Sequence, residues 1–147
     1  MATFLQLLQQ AGAFCKAGQW SKAEQVCRSL LKAQPDNFEA LNLMGIIASK
    51  TQRNREAAEL IVRAISVRPD QAVAHLNLGN IFLSLQRPAD ALDSIERALQ
   101  LNPNDAGAYN DRGNALRSLN RFEAALTAMS ARSQSGRIMS RLGIIGA

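Results

Sequence analysis

Apolar side chains recur along residues 75–105 at two densities, and the difference predicts two helices in different surroundings. Leu76, Leu78, Ile81, Phe82, Leu83 and Leu85 are too closely spaced for one narrow stripe, so they suit a helix contacted on more than one side. Ala91, Leu92, Ile95, Ala98 and Leu99 follow at helical spacing and predict a second helix with a single buried stripe. Pro88 suits the first turn of that helix, where its missing N–H has no partner to lose. Asp90 and Asp93 then sit near the positive end of the helix dipole. Pro103 closes the segment, because an interior proline costs about 3 kcal/mol.

The same pattern lies on both sides of this segment at a 34-residue step. It is marked by Pro35, Pro69 and Pro103, by Gly45, Gly79 and Gly113, and by Ala23, Ala57, Ala91 and Ala125. One unit has been copied along the chain. The step predicts helices over 3–17 and from Trp20, over 38–50 and 54–67, over 72–84 and 88–101, and over 106–118 and from 122. Short turns make successive helices antiparallel. Glycine inside a helix costs roughly 1 kcal/mol relative to alanine. Its recurrence at 45, 79 and 113 therefore predicts a close helix crossing in each unit. Asp36, Asp70 and Asn104 follow the prolines and are candidate caps for the next helix. The indole of Trp20 is expected to pack over the turn at Gly18 and Gln19.

This unit resembles the tetratricopeptide repeat (TPR), a 34-residue helix–turn–helix motif. The third unit matches through His75, Leu78, Gly79, Phe82, Ala91, Ile95, Ala98 and Pro103. The second matches through Leu41, Met44, Gly45, Ala57, Ile61, Ala64 and Pro69, with Ala48 in place of the aromatic. The first matches through Leu7, Ala11, Phe14, Ala23, Cys27 and Pro35. The fourth matches through Tyr109, Gly113, Leu116, Ala125 and Met129, with Arg112 in place of the leucine. The resemblance implies an all-α fold, a right-handed superhelical solenoid of about four repeats with an irregular C-terminal tail. The expected units are 4–37, 38–71, 72–105 and a truncated 106–129, followed by the tail 130–147. Phe4, Leu5, Leu7 and Leu8 are dense for a helix without an upstream neighbour, so this end is a modified cap or meets something else. Uncapped ends offer a route to self-association.

Composition narrows the function classes. The net charge is +5, but the stretch 129–147 carries three arginines and no acid, leaving the repeats at about +2 with signs mixed. No basic stripe with interleaved aromatics points to nucleic acid. Cys15 and Cys27, with one histidine in the chain, do not make a metal site, and free thiols fit a reducing compartment. No apolar run approaches the ~20 residues of a membrane span. The N-terminus lacks the basic region and cleavage signal of a signal peptide, so a cytoplasmic protein is expected. No catalytic residue, cofactor site or metal site is expected, because no nucleophile elbow, phosphate loop or metal-ligand spacing appears. His75 is expected to pack rather than react.

In the TPR family the first helix of each unit lines a concave surface that binds partner peptides. A 3-to-4 step along those helices collects Glu39, Asn42, Ile46 and Lys50, then Val73, Asn77 (or Leu76), Asn80 and Ser84, then Gly107, Asn110, Asn114 and Arg117. The candidate peptide-binding residues are Asn42, Ile46, Lys50, Asn77, Asn80, Asn110, Asn114 and Arg117. A primary amide both donates and accepts, so a row of asparagines can hold an extended backbone while reading little of its sequence. A protein or peptide ligand is therefore the expected partner. Some relatives capture chaperone C-termini with a carboxylate clamp of lysine, arginine and asparagine. Here the equivalent face has Val73, Asn77, Gly107 and Asp111 without clustered lysines, and chaperone docking is not implied. An asparagine ladder also resembles the superhelix preceding the catalytic domain of O-linked N-acetylglucosamine transferases. The alternative expectation is thus a substrate-recruiting segment of a larger glycosyltransferase-like protein.

The pattern breaks after Met129, and no proline appears at 137 where the step puts one. Residues 129–147 are compatible with an out-of-frame reading of further repeat sequence. Shifted one base upstream, with free third bases and serine codons chosen, these codons permit YERAIAVRPDYVAAWNNRG. That string places proline, tryptophan and glycine 34 residues after Pro103, Tyr109 and Gly113. It implies a natural protein with more repeats, and sequencing the encoding DNA decides it.

Overall fold

The computed structural model describes residues 1–141, with side chains through residue 131. Among the described residues there are seven helices and no strand: α1 (Phe4–Lys16), α2 (Trp20–Ala33), α3 (Phe38–Lys50), α4 (Asn54–Val67), α5 (Ala72–Ser84), α6 (Pro88–Leu101) and α7 (Ala106–Arg141). The first six pair as antiparallel hairpins. Each hairpin turns on one residue in the left-handed region: Gly18 at φ 72°, Gln52 at 66° and Gln86 at 59°. The next residue then donates its backbone N–H back into the first helix. Gln19 reaches the Phe14 carbonyl at 2.9 Å, Arg53 reaches Ala48 at 2.8 Å and Arg87 reaches Phe82 at 2.9 Å. These bonds satisfy carbonyls that a helix end otherwise leaves open.

The caps lie one residue later than expected. Pro35 with Asp36, Pro69 with Asp70 and Pro103 with Asn104 form the turn itself. The N-caps are Thr3, Asn37 and Gln71, and Asp105 accepts the Ala108 N–H at 3.1 Å. Thr3 forms a reciprocal capping box with Gln6, and Asn37 accepts from Ala40 at 2.9 Å. Gln71 makes no capping bond, and its amide nitrogen donates to Asp70 at 3.4 Å.

Two of the three expected glycine crossings are present. A Cβ on Gly79 would fall 2.5 Å from Ile95 Cγ1 and 3.2 Å from the Ala91 carbonyl oxygen. One on Gly45 would fall 2.6 Å from Ile61 Cγ1. Only a bare backbone lets these isoleucines sit down, and both are fully buried. A Cβ on Gly113 would meet nothing within 4 Å, so the third crossing is not formed.

That difference follows from α7. The fourth unit was expected to turn near 119–121, but α7 runs unbroken for 36 residues. The turn residue would be Asn120, the counterpart of Gln52 and Gln86. Placing a residue with a side chain in the left-handed conformation costs roughly 1–2 kcal/mol. In the second and third units, packing of the returning helix offsets that strain: Ala57, Ile61 and Ala64 are buried, as are Ala91, Ile95 and Ala98. The fourth unit supplies Ala125 and Met129 at those registers and then Arg132. The charged Arg132 stands where the second and third units bury Ala64 and Ala98, so a returning helix would lose its last core contact, and the chain keeps its helical hydrogen bonds instead. Phe122, Leu126 and Met129 are left 51%, 48% and 66% exposed. Of the expected tail 130–147, α7 extends to Arg141 and residues 142–147 lie outside the described residues.

The backbones of the first helices approach one another in series, α1 to α3, α3 to α5 and α5 to α7, whereas those of α2, α4 and α6 stand further apart. The row of first helices is therefore the inner, closer-spaced side of the solenoid. The apolar core is continuous between units. Phe38, Leu41, Ile61 and Leu78 belong to one cluster, Ala11, Cys27 and Ile47 to the cluster before it, and Ile95 and Ala115 to the one after. Trp20 and Phe14 both pack, partly buried, against the cluster of Ala11, Cys27 and Ile47.

Candidate functional site

The inner face is built by α3, α5 and α7. Asn42, Ile46 and Lys50 lie on α3, Asn77 and Asn80 on α5, and Asn110, Asn114 and Arg117 on α7. Ladder members meet between helices. Asn77 donates through Nδ2 to Asn42 Oδ1 at 3.2 Å. Asn80 donates through Nδ2 to Asp111 Oδ2 at 3.1 Å. Each bond leaves the asparagines further donor and acceptor positions. Arg117 bonds Asn114 within α7, and Asn110 is exposed.

Between α3 and α5 the face opens into a cavity of about 130 Å³ lined by Ile46, Ser49, Lys50, Asn77, Asn80 and Ile81. Four of the eight candidate residues thus share one hollow. Its Ile46 and Ile81 side chains are apolar, Lys50 stands exposed at its edge, and two amides face it across the gap. Asn110, Asn114 and Arg117 lie one helix further along and do not join it. Asp111 was not among the candidates, since its bond to Asn80 depends on how α7 is offset from α5. Its bond to Asn80 gives the inner face a negative position beyond the positive Lys50.

Larger open hollows lie elsewhere. One of about 360 Å³ is lined by Gln34, Pro35, Asp36, Asn37, Phe38, Val67 and Arg68. It is a junction between successive turns, partly closed by the Arg68 guanidinium 5.4 Å over the Phe38 ring and by an Arg68–Glu39 ion pair at 2.7 Å.

The remaining polar groups tie units together. Arg53 joins Glu24 at 2.9 Å and Glu56 at 3.2 Å, linking the first and second units. Hydrogen bonds from Arg28 and then Arg53 hold the Glu24 carboxyl below its ordinary range. His75 Nε2 donates to the Pro69 carbonyl at 2.8 Å, and 34 residues later Tyr109 donates to the Pro103 carbonyl at 3.0 Å. Both side chains pin an inter-unit turn to the helix that follows. Burial pushes the Cys27 thiol up to about 12 and raises that of Cys15, which disfavours the thiolate form of both. Among the described residues no group of three metal-ligating side chains occurs, and no helix is long and apolar enough to cross a membrane.

Stacked helical hairpins with an amide-lined inner face define a helical-repeat protein. The tetratricopeptide repeat models match residues 7–37, 42–106 and 76–137, and the chain belongs to the tetratricopeptide repeat family. Its solved relatives include a Thermobaculum terrenum O-GlcNAc transferase mutant, 30% identical over 79% of this chain with a TM-score of 0.75. The chain spans 23% of that protein. The first TPR of Spaghetti (RPAP3), solved with an HSP90 peptide, is 20% identical over 80% of this chain and 93% of its own, with a TM-score of 0.75. The Sgt2 TPR domain from Aspergillus fumigatus is 19% identical over 82% of each chain, with a TM-score of 0.77. No curated protein matches the chain.

Proposed function

We propose that the chain is a protein–protein interaction scaffold whose inner face binds an extended peptide. The observation that carries this reading is the hollow between α3 and α5, where Ile46, Lys50, Asn77 and Asn80 converge from two consecutive units. Ile46 and Ile81 would receive one small apolar side chain, and the asparagine amides would pair with the peptide backbone. Lys50 favours an acidic residue beside that apolar anchor, and Asp111 favours a basic one toward α7. The RPAP3 relative, of the same fold, was solved with a peptide. The clustered cations of a carboxylate clamp are missing from the matching face here, so the ligand would be held by amide pairing more than by charge.

The experiment is a pull-down with the purified chain beside two variants. Replacing Asn77, Asn80, Asn110 and Asn114 by alanine should lose the captured partner at unchanged helicity. Replacing Glu59 and Asp93, exposed on outer helices, by Gln and Asn should retain it. Equal loss from both would remove the case for the inner face.

A second reading is favoured by the relative at 30% identity: this segment gathers substrates for an attached glycosyltransferase. A catalytic domain encoded in the same reading unit would establish it, and the peptide groove would then serve to recruit substrate.

A further inference from the structure

The hollow between α3 and α5 is lined by Ile46, Ser49, Lys50, Asn77, Asn80 and Ile81. One repeat earlier, 34 residues back, the same six positions hold Gly12, Cys15, Lys16, Leu43, Ile46 and Ile47, at the junction of α1 with α3. Aliphatic side chains, Leu43 and Ile46, stand there in place of both asparagines. Cys15 and Leu43 pack, partly buried, against the apolar cluster that contains Ile47. Glycine stands where the next hollow has Ile46, and a Cβ on Gly12 would meet nothing within 4 Å. Toward its start the same face of α1 carries Leu5 and Leu8, where α3 has Glu39 and Asn42. Leu5 is exposed and Leu8 half-buried. One repeat later than the hollow, the asparagine positions hold Asp111 and Asn114, and Asp111 accepts from Asn80 at 3.1 Å. The inner face thus grades from apolar at α1 to polar at α7.

We propose that the junction of α1 with α3 is a specificity subsite: it takes one bulky apolar side chain, of leucine or phenylalanine size, from the extended peptide that the amides hold. This rests on the inner-face reading given above and adds a selectivity the asparagines do not supply, because a primary amide pairs with any peptide backbone. Ile46 belongs to both junctions, so a chain lying over one borders the other without a gap. Packed helices lie about 8–10 Å apart and an extended chain advances about 3.4 Å per residue, so the bulky residue sits about two to three positions from the one over Ile81. The space left by Gly12 is filled by a side chain, Ile46, in the next hollow, so the residue received at α1 is the larger of the two. Charge points to its neighbour. Lys16 repeats Lys50, both are exposed, and neither enters an ion pair among the described residues. α1 carries no acid. A carboxylate beside the apolar anchor complements this edge.

The test uses the tightest peptide selected against the purified full chain from a random display library, with affinity read by fluorescence anisotropy. That peptide should carry a bulky apolar residue whose replacement by alanine weakens binding by about tenfold or more, as the burial of one such side chain requires. Gly12→Leu fills the subsite from within and should weaken the original peptide by a similar factor. Helicity should hold or rise, since leucine is the better helix former and its Cβ meets nothing. The alanine-substituted peptide should bind the parent and Gly12→Leu within about twofold of each other, the mark of a direct contact in a double-mutant cycle. Lys16→Glu should weaken the original peptide several-fold at low salt, and less at high salt. A peptide that is lost by the chain lacking Asn77, Asn80, Asn110 and Asn114 but binds Gly12→Leu as tightly as the parent overturns the subsite and leaves the amide groove standing. A peptide indifferent to both variants overturns the inner-face reading and the subsite with it.

Discussion

At Gly79 one missing methyl group decides how close two helices come. The Ile95 side chain occupies the space a Cβ would need, 2.5 Å from its Cγ1. Gly79→Leu should cost about 1–3 kcal/mol through overpacking, and the loss should spread to neighbouring units because each repeat leans on the next. Thermal unfolding of the variant at the temperature of the parent would contradict the crossing. Glu24 sets a second residue-scale expectation. Its carboxyl is held below its ordinary value of 4.5 by Arg28 and Arg53, so the stabilisation is present above that pH and lost as pH falls through the lowered folded value. Parent stability should therefore drop more steeply below pH 4.5 than that of Glu24→Gln, by under about 1 kcal/mol for a partly solvated network. Parallel melting curves against pH for the two proteins would show that the network contributes nothing.

At the scale of the element, capping separates what the sequence shows from what it hides. Helix ends from α1 to α6 follow from proline, glycine and apolar spacing, because each signal acts through its own backbone. Assigning the caps to Asp36, Asp70 and Asn104 failed because the proline and the residue after it together make the turn, which moves the cap onward to Asn37, Gln71 and Asp105. Gln71 is the one member of this row whose side chain does not cap. Its backbone already has the extended geometry of a cap, φ −97° and ψ 105°. Gln71→Asp should stabilise the protein by about 0.5–1 kcal/mol, read as a rise in the midpoint of urea unfolding. No rise would mean that the free N–H groups of α5 are already satisfied by solvent. The unbroken α7 was illegible for a different reason. A turn residue is present at Asn120, but a turn persists only if the returning helix packs, and that depends on residues well beyond it.

Over the whole molecule, periodicity made the solenoid legible, since 34-residue spacing of proline, glycine and alanine leaves little freedom for any other stacking. Of the candidate residues, a 3-to-4 step on the first helices picked out Ile46, Lys50, Asn77 and Asn80, which share one hollow, whereas Asn110, Asn114 and Arg117 do not join it. Which of them meet was not legible: the Asn77–Asn42 and Asn80–Asp111 bonds, and the gathering of Ile46 with Ile81, depend on the offset between neighbouring helices. The inner face, open along α3, α5 and α7, is the central feature. It is tested most directly by selecting peptides against the purified chain from a random display library and measuring the affinity of the best one. The chain lacking Asn77, Asn80, Asn110 and Asn114 should bind that peptide at least about tenfold more weakly, as the loss of several amide pairs requires, while the Glu59 and Asp93 variant should match the parent. Unchanged affinity in the asparagine variant, or equal loss in the outer-face variant, would contradict a binding surface on the inside of the solenoid.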